Sequence, residues 1–132
     1  MADIQHELKV RAPRGRVLEA LTEPAAIARW HGASVTGGDS EWRLEYPGGP
    51  VFRWEVVAAT PDRVAWRCVE GPGDARGTEV SFRLADRADG RTLVEVAHTG
   101  WPGTGGNFRK CNTLWAVLLH KLRQTAEASA KA

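Results

Sequence analysis

One histidine, His98, stands where acid–base chemistry could occur. It ends the alternating stretch VEVAH, residues 94–98, so its side chain shares the apolar face of Val94 and Val96. An imidazole titrates near neutral pH and can act as a general acid or base. However, no Asp or Glu stands at a spacing that guarantees an orienting partner, and no Ser or Cys is adjacent. We therefore interpret His98 as a structural imidazole and keep it as the candidate catalytic residue.

The four histidines and two cysteines do not form the pattern of a metal site. No two histidines share the i,i+4 spacing of a helical zinc motif, and the chain has no Cys-x-x-Cys. Cys68 and Cys111 fall on apolar faces, with nothing basic fixed beside either thiol. We predict no metal and interpret both cysteines as buried free thiols. The histidines are His6, His31, His98 and His120.

A glycine-rich stretch at residues 103–106 invites comparison with phosphate-binding loops. Such a loop would continue as Gly-Lys-Ser/Thr, whereas this stretch continues as NFRK. A dinucleotide fingerprint would need a third glycine where Phe108 stands, with a parallel sheet behind it. We therefore predict no cofactor and interpret the stretch as a flexible connection, with Asn107 as the N-cap of the next helix. That the loop also gates a cavity is a hypothesis.

Alternation of apolar and polar residues predicts most of the secondary structure. The first such segment covers residues 3–11, and the pattern resumes after residue 40. Each later segment has one apolar and one charged face, which indicates an antiparallel sheet covered on one side. Segment 32–40 is short and polar. The later strands are predicted at 40–46, 51–59, 62–70, 78–86 and 92–99.

Helical spacing occurs in three places. Pro13 suits the first turn of a helix that runs to about Thr22, and Pro24 ends it and starts a second, PAAIARWH. A later apolar stripe predicts a helix over about residues 108–127, roughly 30 Å long. The small polar tail that follows is expected to fray. The stripe consists of Cys111, Leu114, Trp115, Leu118, Leu119 and Leu122.

These elements predict an α+β protein of the helix-grip type. A curved antiparallel sheet of six or seven strands, wrapped around the long C-terminal helix and preceded by two short helices, buries the apolar faces economically. The length of 132 residues predicts a single domain over residues 1–132. A net charge of +2 without a basic run gives no reason to expect nucleic-acid binding. No apolar stretch approaches the length of a membrane span, so we expect a cytoplasmic protein that binds no membrane.

Six tryptophans against one tyrosine and three phenylalanines are the unusual feature of the composition. Trp42, Trp54 and Trp66 lie in the inward phase of their strands, and Trp115 faces them from the long helix. Aromatic side chains fill many cores, so a solid interior is one interpretation. Six indoles are hard to pack densely in so small a core, however, and each N–H needs a partner. We favour a ring-lined ligand pocket, to which Tyr46, Cys68 and His98 add polar groups.

Short motifs spread over almost the whole chain resemble a known superfamily. They are Ala12-Pro13, Arg16-Val17, Ala20-Leu21-Thr22, Pro24, Trp30, Val64-Ala65-Trp66-Arg67-Cys68, Gly77-Thr78, His98-Thr99-Gly100-Trp101, Cys111 and Trp115. The early motifs resemble the START-like, or SRPBCC, superfamily. The later ones resemble a bacterial subgroup similar to the activator of the 90-kDa heat-shock-protein ATPase. The resemblance implies a helix-grip fold, while the superfamily includes lipid carriers, polyketide cyclases, hormone receptors and co-chaperone domains. In many relatives the second helix ends in two tryptophans, whereas here it ends in Trp30-His31.

These observations predict binding of a small hydrophobic or aromatic molecule in a cavity between the sheet and the C-terminal helix. Two alternatives stay open: a polyketide-cyclase-like (cyclase or dehydratase) enzyme with His98 as acid–base, and a protein-interaction module of the chaperone-activator kind. A protein partner or a homodimer is compatible with the sequence. Trp30 and Trp101 are predicted to guard the entrance. The predicted ligand-binding residues are Trp30, Tyr46, Trp54, Trp66, Cys68, Phe82, His98, Trp101 and Trp115.

Overall fold

The computed structural model describes residues 2–38 and 40–131. Within that part of the chain, seven strands and three α-helices follow the order that the sequence predicts. The described residues also contain one 3₁₀ turn, Gly73–Ala75, between the strands Arg63–Glu70 and Glu79–Asp86. The elements are β1 Ala2–Val10, α1 Arg14–Thr22, α2 Pro24–His31, β2 Ser34–Gly37, β3 Glu41–Glu45, β4 Val51–Thr60, β5 Arg63–Glu70, β6 Glu79–Asp86, β7 Thr92–Trp101 and α3 Asn107–Lys131.

The strands form one antiparallel sheet in the order β1-β7-β6-β5-β4-β3-β2. The first strand closes one edge by pairing with the last, which sets Ile4 opposite His98. Register shifts in β4, one of them between Val56 and Ala58, bring Ala59 opposite Val64 on the concave face. A bulge of this kind bends a strand and increases its twist. The structure thus confirms the predicted α+β helix-grip fold, with seven strands.

Helix α3 contacts the concave face through a narrower stripe than the sequence predicts. Trp115, Leu118 and Leu122 are buried, but the Leu114 side chain is 42% exposed. Leu114 lies one residue, about 100°, around the helix from Trp115, and so at the margin of the stripe. The prediction that it faces the sheet is wrong.

The C-terminal tail of α3 does not fray as predicted. The helix continues to Lys131, and Thr125 and Ala126 are buried beyond the last leucine of the stripe. The Glu127 carboxylate also accepts a hydrogen bond of 2.8 Å from the backbone N–H of Arg11. Tertiary contacts therefore hold a segment whose composition alone favours disorder. None of the described helices is long and apolar enough to cross a membrane.

The start of α3 also differs from the prediction. Asn107 is the first residue of the helix rather than its N-cap, and its side-chain amide donates a 3.0 Å hydrogen bond to the carbonyl of Pro72. This bond joins the helix to the segment before the Gly73–Ala75 turn. Asn107 therefore links α3 to the β5–β6 connection.

The junction of α1 and α2 sets the position of α2, whose last two residues, Trp30 and His31, are buried in the interior. Glu23 is extended between the helices, and Pro24, which follows it, has no N–H to donate to the carbonyl of Ala20. The indole Nε1 of Trp30 donates to that carbonyl instead, at 2.8 Å. Helix α2 ends at His31, and its C-cap is Gly32, whose φ of 65° is the left-handed conformation that glycine adopts readily.

Candidate functional site

The concave face of the sheet, α2 and α3 all contribute rings to one aromatic cluster. Neighbouring ring centroids are 4.0 to 6.5 Å apart, within or close to the range of stacked and edge-on pairs. Eight of the nine predicted ligand-binding residues belong to this cluster. The ninth, Cys68, is buried in the same core. The cluster consists of Trp30, His31, Tyr46, Phe52, Trp54, Trp66, Phe82, His98, Trp101 and Trp115.

Trp66 lies at the middle of the aromatic cluster. Its ring centroid is 5.5 Å from Phe82, 6.1 Å from Trp54 and 6.5 Å from Trp30. The rings that were predicted to line a cavity therefore contact one another. Trp30 and Trp101 are completely buried, so the prediction that they stand at an entrance is wrong.

His98 is engaged at both ring nitrogens. The indole Nε1 of Trp115 donates to Nδ1 at 2.9 Å, so Nδ1 carries no hydrogen and the hydrogen of the neutral ring is on Nε2. Nε2 donates to the hydroxyl of Thr78 at 2.7 Å, and Thr78 donates in turn to the carbonyl of Ala75 at 2.6 Å. In this series of hydrogen bonds, both ring nitrogens of His98 and the hydroxyl of Thr78 have partners, and none is left for a substrate.

The environment of His98 also keeps the imidazole uncharged. Burial lowers its pKa from 6.5 to about 4. A proton on Nδ1 would face the N–H of Trp115, so the hydrogen-bond geometry opposes the charged form as well. This arrangement favours a structural role for His98 over acid–base catalysis.

A second buried histidine, His31, was not among the predicted site residues. Its ring lies 4.0 Å from that of Trp30, and its Nδ1 is 2.6 Å from the hydroxyl oxygen of Tyr46. Nε2 is buried and has no hydrogen-bond partner in the part of the chain described. Burial lowers the pKa of His31 to about 3 and raises that of Tyr46 above its ordinary value. The departure Trp30-His31 at the end of α2 was the sequence signal that could have identified it.

The structure buries one of the two thiols that the sequence predicts to be buried. Cys68 is buried and donates to the carbonyl of Glu70 at 3.4 Å, whereas Cys111 is half-buried. Burial raises the pKa of each thiol to about 11, so both stay protonated near neutral pH. A β-carbon on Gly71 would lie 3.0 Å from the Cys68 sulfur, which explains the glycine there. Within residues 2–38 and 40–131, no three His, Cys, Asp or Glu residues converge as a metal site would require.

Three indole N–H groups of the interior have no acceptor. They belong to Trp42, Trp54 and Trp101, each buried and without a hydrogen-bond partner among the described residues. Trp42 and Trp54 are directly opposite each other on β3 and β4. A buried donor without a partner costs about 1–3 kcal/mol. With His31 Nε2, the structure buries four unpaired polar nitrogens in or beside the aromatic cluster.

An apolar cleft opens beside the aromatic cluster. Its volume is about 260 Å³, and Trp66 is part of both the cleft wall and the cluster. The cleft lies between the end of α1 and strands β3 to β5, rather than between the sheet and α3 as predicted. Two irregularities form it: Pro24 ends α1, and the register shift in β4 turns Ala59 inward. Its lining is Leu21, Thr22, Trp42, Val56, Ala59, Val64 and Trp66.

Comparison with solved structures shows what this fold is similar to. The solution structure of the Aha1 dimer from Colwellia psychrerythraea is 28% identical, with a TM-score of 0.85 over 96% of this chain and 97% of that one. Protein MLL2253 from Mesorhizobium loti is 20% identical, with a TM-score of 0.81 over 96% and 98%. DynU16, from the dynemicin biosynthetic locus, is 23% identical, with a TM-score of 0.80. The match covers 97% of this chain and 48% of DynU16. The last two likenesses show the fold alone.

A comparison with curated proteins found no match. The family model described as "Activator of Hsp90 ATPase homolog 1-like protein" matches residues 11–127, which is most of the chain. This match and the fold agree with the motifs that resemble the START-like superfamily. The chain belongs to the family of Activator of Hsp90 ATPase homolog 1-like proteins, within that superfamily.

Proposed function

We propose that the protein binds a small hydrophobic or aromatic molecule, which enters through the apolar cleft and contacts the aromatic cluster. The observation that carries this proposal is that a residue lining the cleft also has a buried donor without a partner among the described residues. Trp42 lines the cleft and has an unpaired Nε1, and Trp66 joins the cleft to the cluster. Ligand sites in proteins are typically apolar concavities with a few polar groups of this kind.

The energetics of the site support a ligand. The surrounding structure already bears the cost of the unpaired donors, so a molecule that supplied an acceptor would recover part of it. Burying an aromatic surface against Trp42 and Trp66 would add about 25 cal/mol per Å² of apolar area. In this proposal Trp42 and Trp66 contact the ligand first. Of these two, only Trp66 was among the predicted ligand-binding residues, and the other eight predicted residues would form the wall behind them.

Filling the cleft tests the proposal. Ala59→Phe would place a ring in the cleft, because Ala59 is exposed and turned inward. The matched control is Ala58→Phe, since Ala58 is adjacent but faces the convex side, opposite Ala65. Ligand-observed NMR with a panel of aromatic compounds should show binding to the wild type and to Ala58→Phe, and at least tenfold weaker binding to Ala59→Phe. The proposal is wrong if no compound binds, or if Ala59→Phe binds as well as its control.

A second candidate function is interaction with a protein partner, and the exposed face of α3 favours it. Leu114 and Val117 on this face are 42% and 50% exposed. Between residues 107 and 126 the helix has four cations and no Asp or Glu, and none of the four cations forms an ion pair with a described residue. We propose an acidic partner surface with an apolar centre. The cations are Arg109, Lys110, Lys121 and Arg123.

The same charges argue against α3 as the contact between two copies of this chain. In an antiparallel pair of helices centred near Leu114 and Val117, Lys110 would approach Lys121 of the other copy, and like charges repel. The relative from Colwellia psychrerythraea is a dimer. A homodimer of this chain would therefore use another surface.

Stimulation of an Hsp90-type ATPase tests the second candidate. Val117→Asp should abolish stimulation and binding, whereas Val57→Asp, at a residue 42% exposed on β4, should leave both intact. Stimulation should weaken as salt is raised, because exposed charges are screened. Equal behaviour of the two variants, or no stimulation by the wild type, would rule this candidate out.

A further inference from the structure

We infer that the cleft and the aromatic cluster select a neutral aromatic molecule that carries a hydrogen-bond acceptor, such as a ketone oxygen, over a hydrocarbon or a carboxylate. This inference rests on the proposed ligand-binding function and names the chemical class of the ligand. Three sets of observations carry it: the indole donors, the tautomer of His31 and the absence of charge around the site.

The indole donors define what the ligand must offer. An indole N–H donates and cannot accept, so the three unpaired groups call for acceptors. Trp42 lies on the wall of the cleft, and Trp54 is opposite it in the register of β3 and β4. Two of the three donors are therefore directly opposite each other on neighbouring strands, and one of them, Trp42, belongs to a residue of the cleft wall.

The fourth unpaired nitrogen is also a donor. Tyr46 has an O–H to give, and the Nδ1 of His31 lies 2.6 Å from its oxygen. When Tyr46 donates to Nδ1, both atoms have a partner, and the hydrogen of the neutral imidazole is then on Nε2. The His31 ring is 6.3 Å from that of Trp66, which lines the cleft. With this tautomer, all four unpaired atoms are donors.

Charge is absent from the surroundings of these donors. The buried polar side chains of the described residues are two histidines and three threonines, with no Lys, Arg, Asp or Glu among them. The histidines stay neutral, since burial lowers the pKa of His31 to about 3 and that of His98 to about 4. The cleft lining has no charged residue either. A carboxylate would lose its hydration there without gaining a cation, which is costly.

Three matched probes test this class. They are 2-acetonaphthone, its hydrocarbon analogue 2-ethylnaphthalene, and the anion 2-naphthoate. Affinities are measured by ligand-observed NMR for the wild type and for Trp42→Phe, which keeps a ring and removes the N–H. We expect Trp42→Phe to weaken ketone binding about three- to tenfold more than it weakens hydrocarbon binding, the value of one hydrogen bond. The naphthoate should bind at least tenfold more weakly than the ketone.

The comparison separates the two proposals. If none of the probes binds the wild type, the ligand-binding function itself is wrong. If they bind, but Trp42→Phe changes ketone and hydrocarbon equally, or the naphthoate binds as tightly as the ketone, the inferred ligand class alone is wrong. Trp54→Phe is the second variant, should Trp42→Phe not fold, and should show the same difference between ketone and hydrocarbon. Hydrocarbon binding reports in each variant that the cleft is intact.

Discussion

Two buried histidines in the same aromatic cluster differ in the surroundings of the second ring nitrogen. Among the described residues, His98 has a partner at both nitrogens, whereas His31 has one only at Nδ1. The sequence directs attention to His98, because its strand phase points inward and its motif resembles a family. His31 is not selected by the same reasoning, because it ends a short helix and no periodic pattern around it indicates that its side chain is buried. In the structure, His31 is the histidine with a buried ring nitrogen, Nε2, that has no partner among the described residues.

Both histidines should make the protein acid-sensitive. Their pKa values in the folded state, about 3 and about 4, lie below the ordinary value of 6.5, so the unfolded chain binds more protons as the pH falls below 6.5. The free energy of unfolding should therefore be highest above pH 6.5 and should fall between pH 6.5 and 4. The slope should approach about 1.4 kcal/mol per pH unit for each histidine. Urea unfolding between pH 7.5 and 4.5 measures it.

Single substitutions can show whether the pH dependence of the free energy of unfolding comes from the buried histidines. His98→Gln should be less stable at pH 7.5 and should show a shallower slope, whereas His120→Gln, at an exposed position of α3, should keep the wild-type slope. Asp62 and Asp89, whose carboxyl pKa values are lowered by hydrogen bonds with Thr60 and Arg91 respectively, act below about pH 4, outside this range. A constant free energy of unfolding from pH 7 to 5 would contradict the burial of neutral imidazoles.

Thr78 has a measurable role in holding His98. Thr78→Val removes the acceptor of His98 Nε2–H and the donor to the carbonyl of Ala75, and both atoms are buried. We expect a loss of about 2–4 kcal/mol in the free energy of unfolding, the cost of two buried hydrogen bonds. The control is Thr99→Val, because Thr99 is half-buried and its hydroxyl makes a single bond of 3.5 Å. Denaturant unfolding should separate the two variants; equal losses would contradict the hydrogen-bond chain.

At the scale of the element, the α1–α2 junction depends on one indole. Trp30→Phe leaves the carbonyl of Ala20 without its side-chain donor, and Pro24 cannot replace it. Trp54→Phe removes the same atoms from a residue whose N–H is unpaired, so it is the matched control. Trp30→Phe should cost about 1–2 kcal/mol more than Trp54→Phe in the free energy of unfolding. If the two variants were equally stable, the indole–carbonyl bond would contribute nothing.

The elements themselves could be predicted because their signals are local. Period-two alternation located every strand except the short β2, and Pro24 marked the start of α2. The errors concern contacts with distant segments. Asn107 bonds to Pro72 instead of capping α3, and burial of Thr125 and Ala126 holds a tail of weak local preference. Such contacts join residues far apart in the chain, so no local pattern reports them.

At the scale of the whole molecule, the phase of each strand was enough to predict which rings meet, but not how they fill space. Trp54, Trp66 and Trp115 converge as expected, but their rings contact neighbouring rings of the cluster, so the open space lies elsewhere. The cleft depends on the place where α1 ends and on the register shift near Ala59. Side-chain volumes and a strand irregularity decide that geometry, and neither has a periodic signal in the sequence.

Two routes to the aromatic cluster make different predictions for a bound ligand. The apolar cleft borders Leu21, Thr22 and Ala59, whereas the exposed loop at residues 102–106, which the sequence suggested as a gate, follows the buried Trp101 in the chain. If 2-acetonaphthone binds through the cleft, backbone amide shifts should change at the end of α1 and near Ala59, while the loop amides should stay unchanged. A ¹⁵N-HSQC titration measures both regions at once. Changes concentrated in residues 102–106 would instead identify the glycine-rich loop as the gate and contradict entry through the cleft.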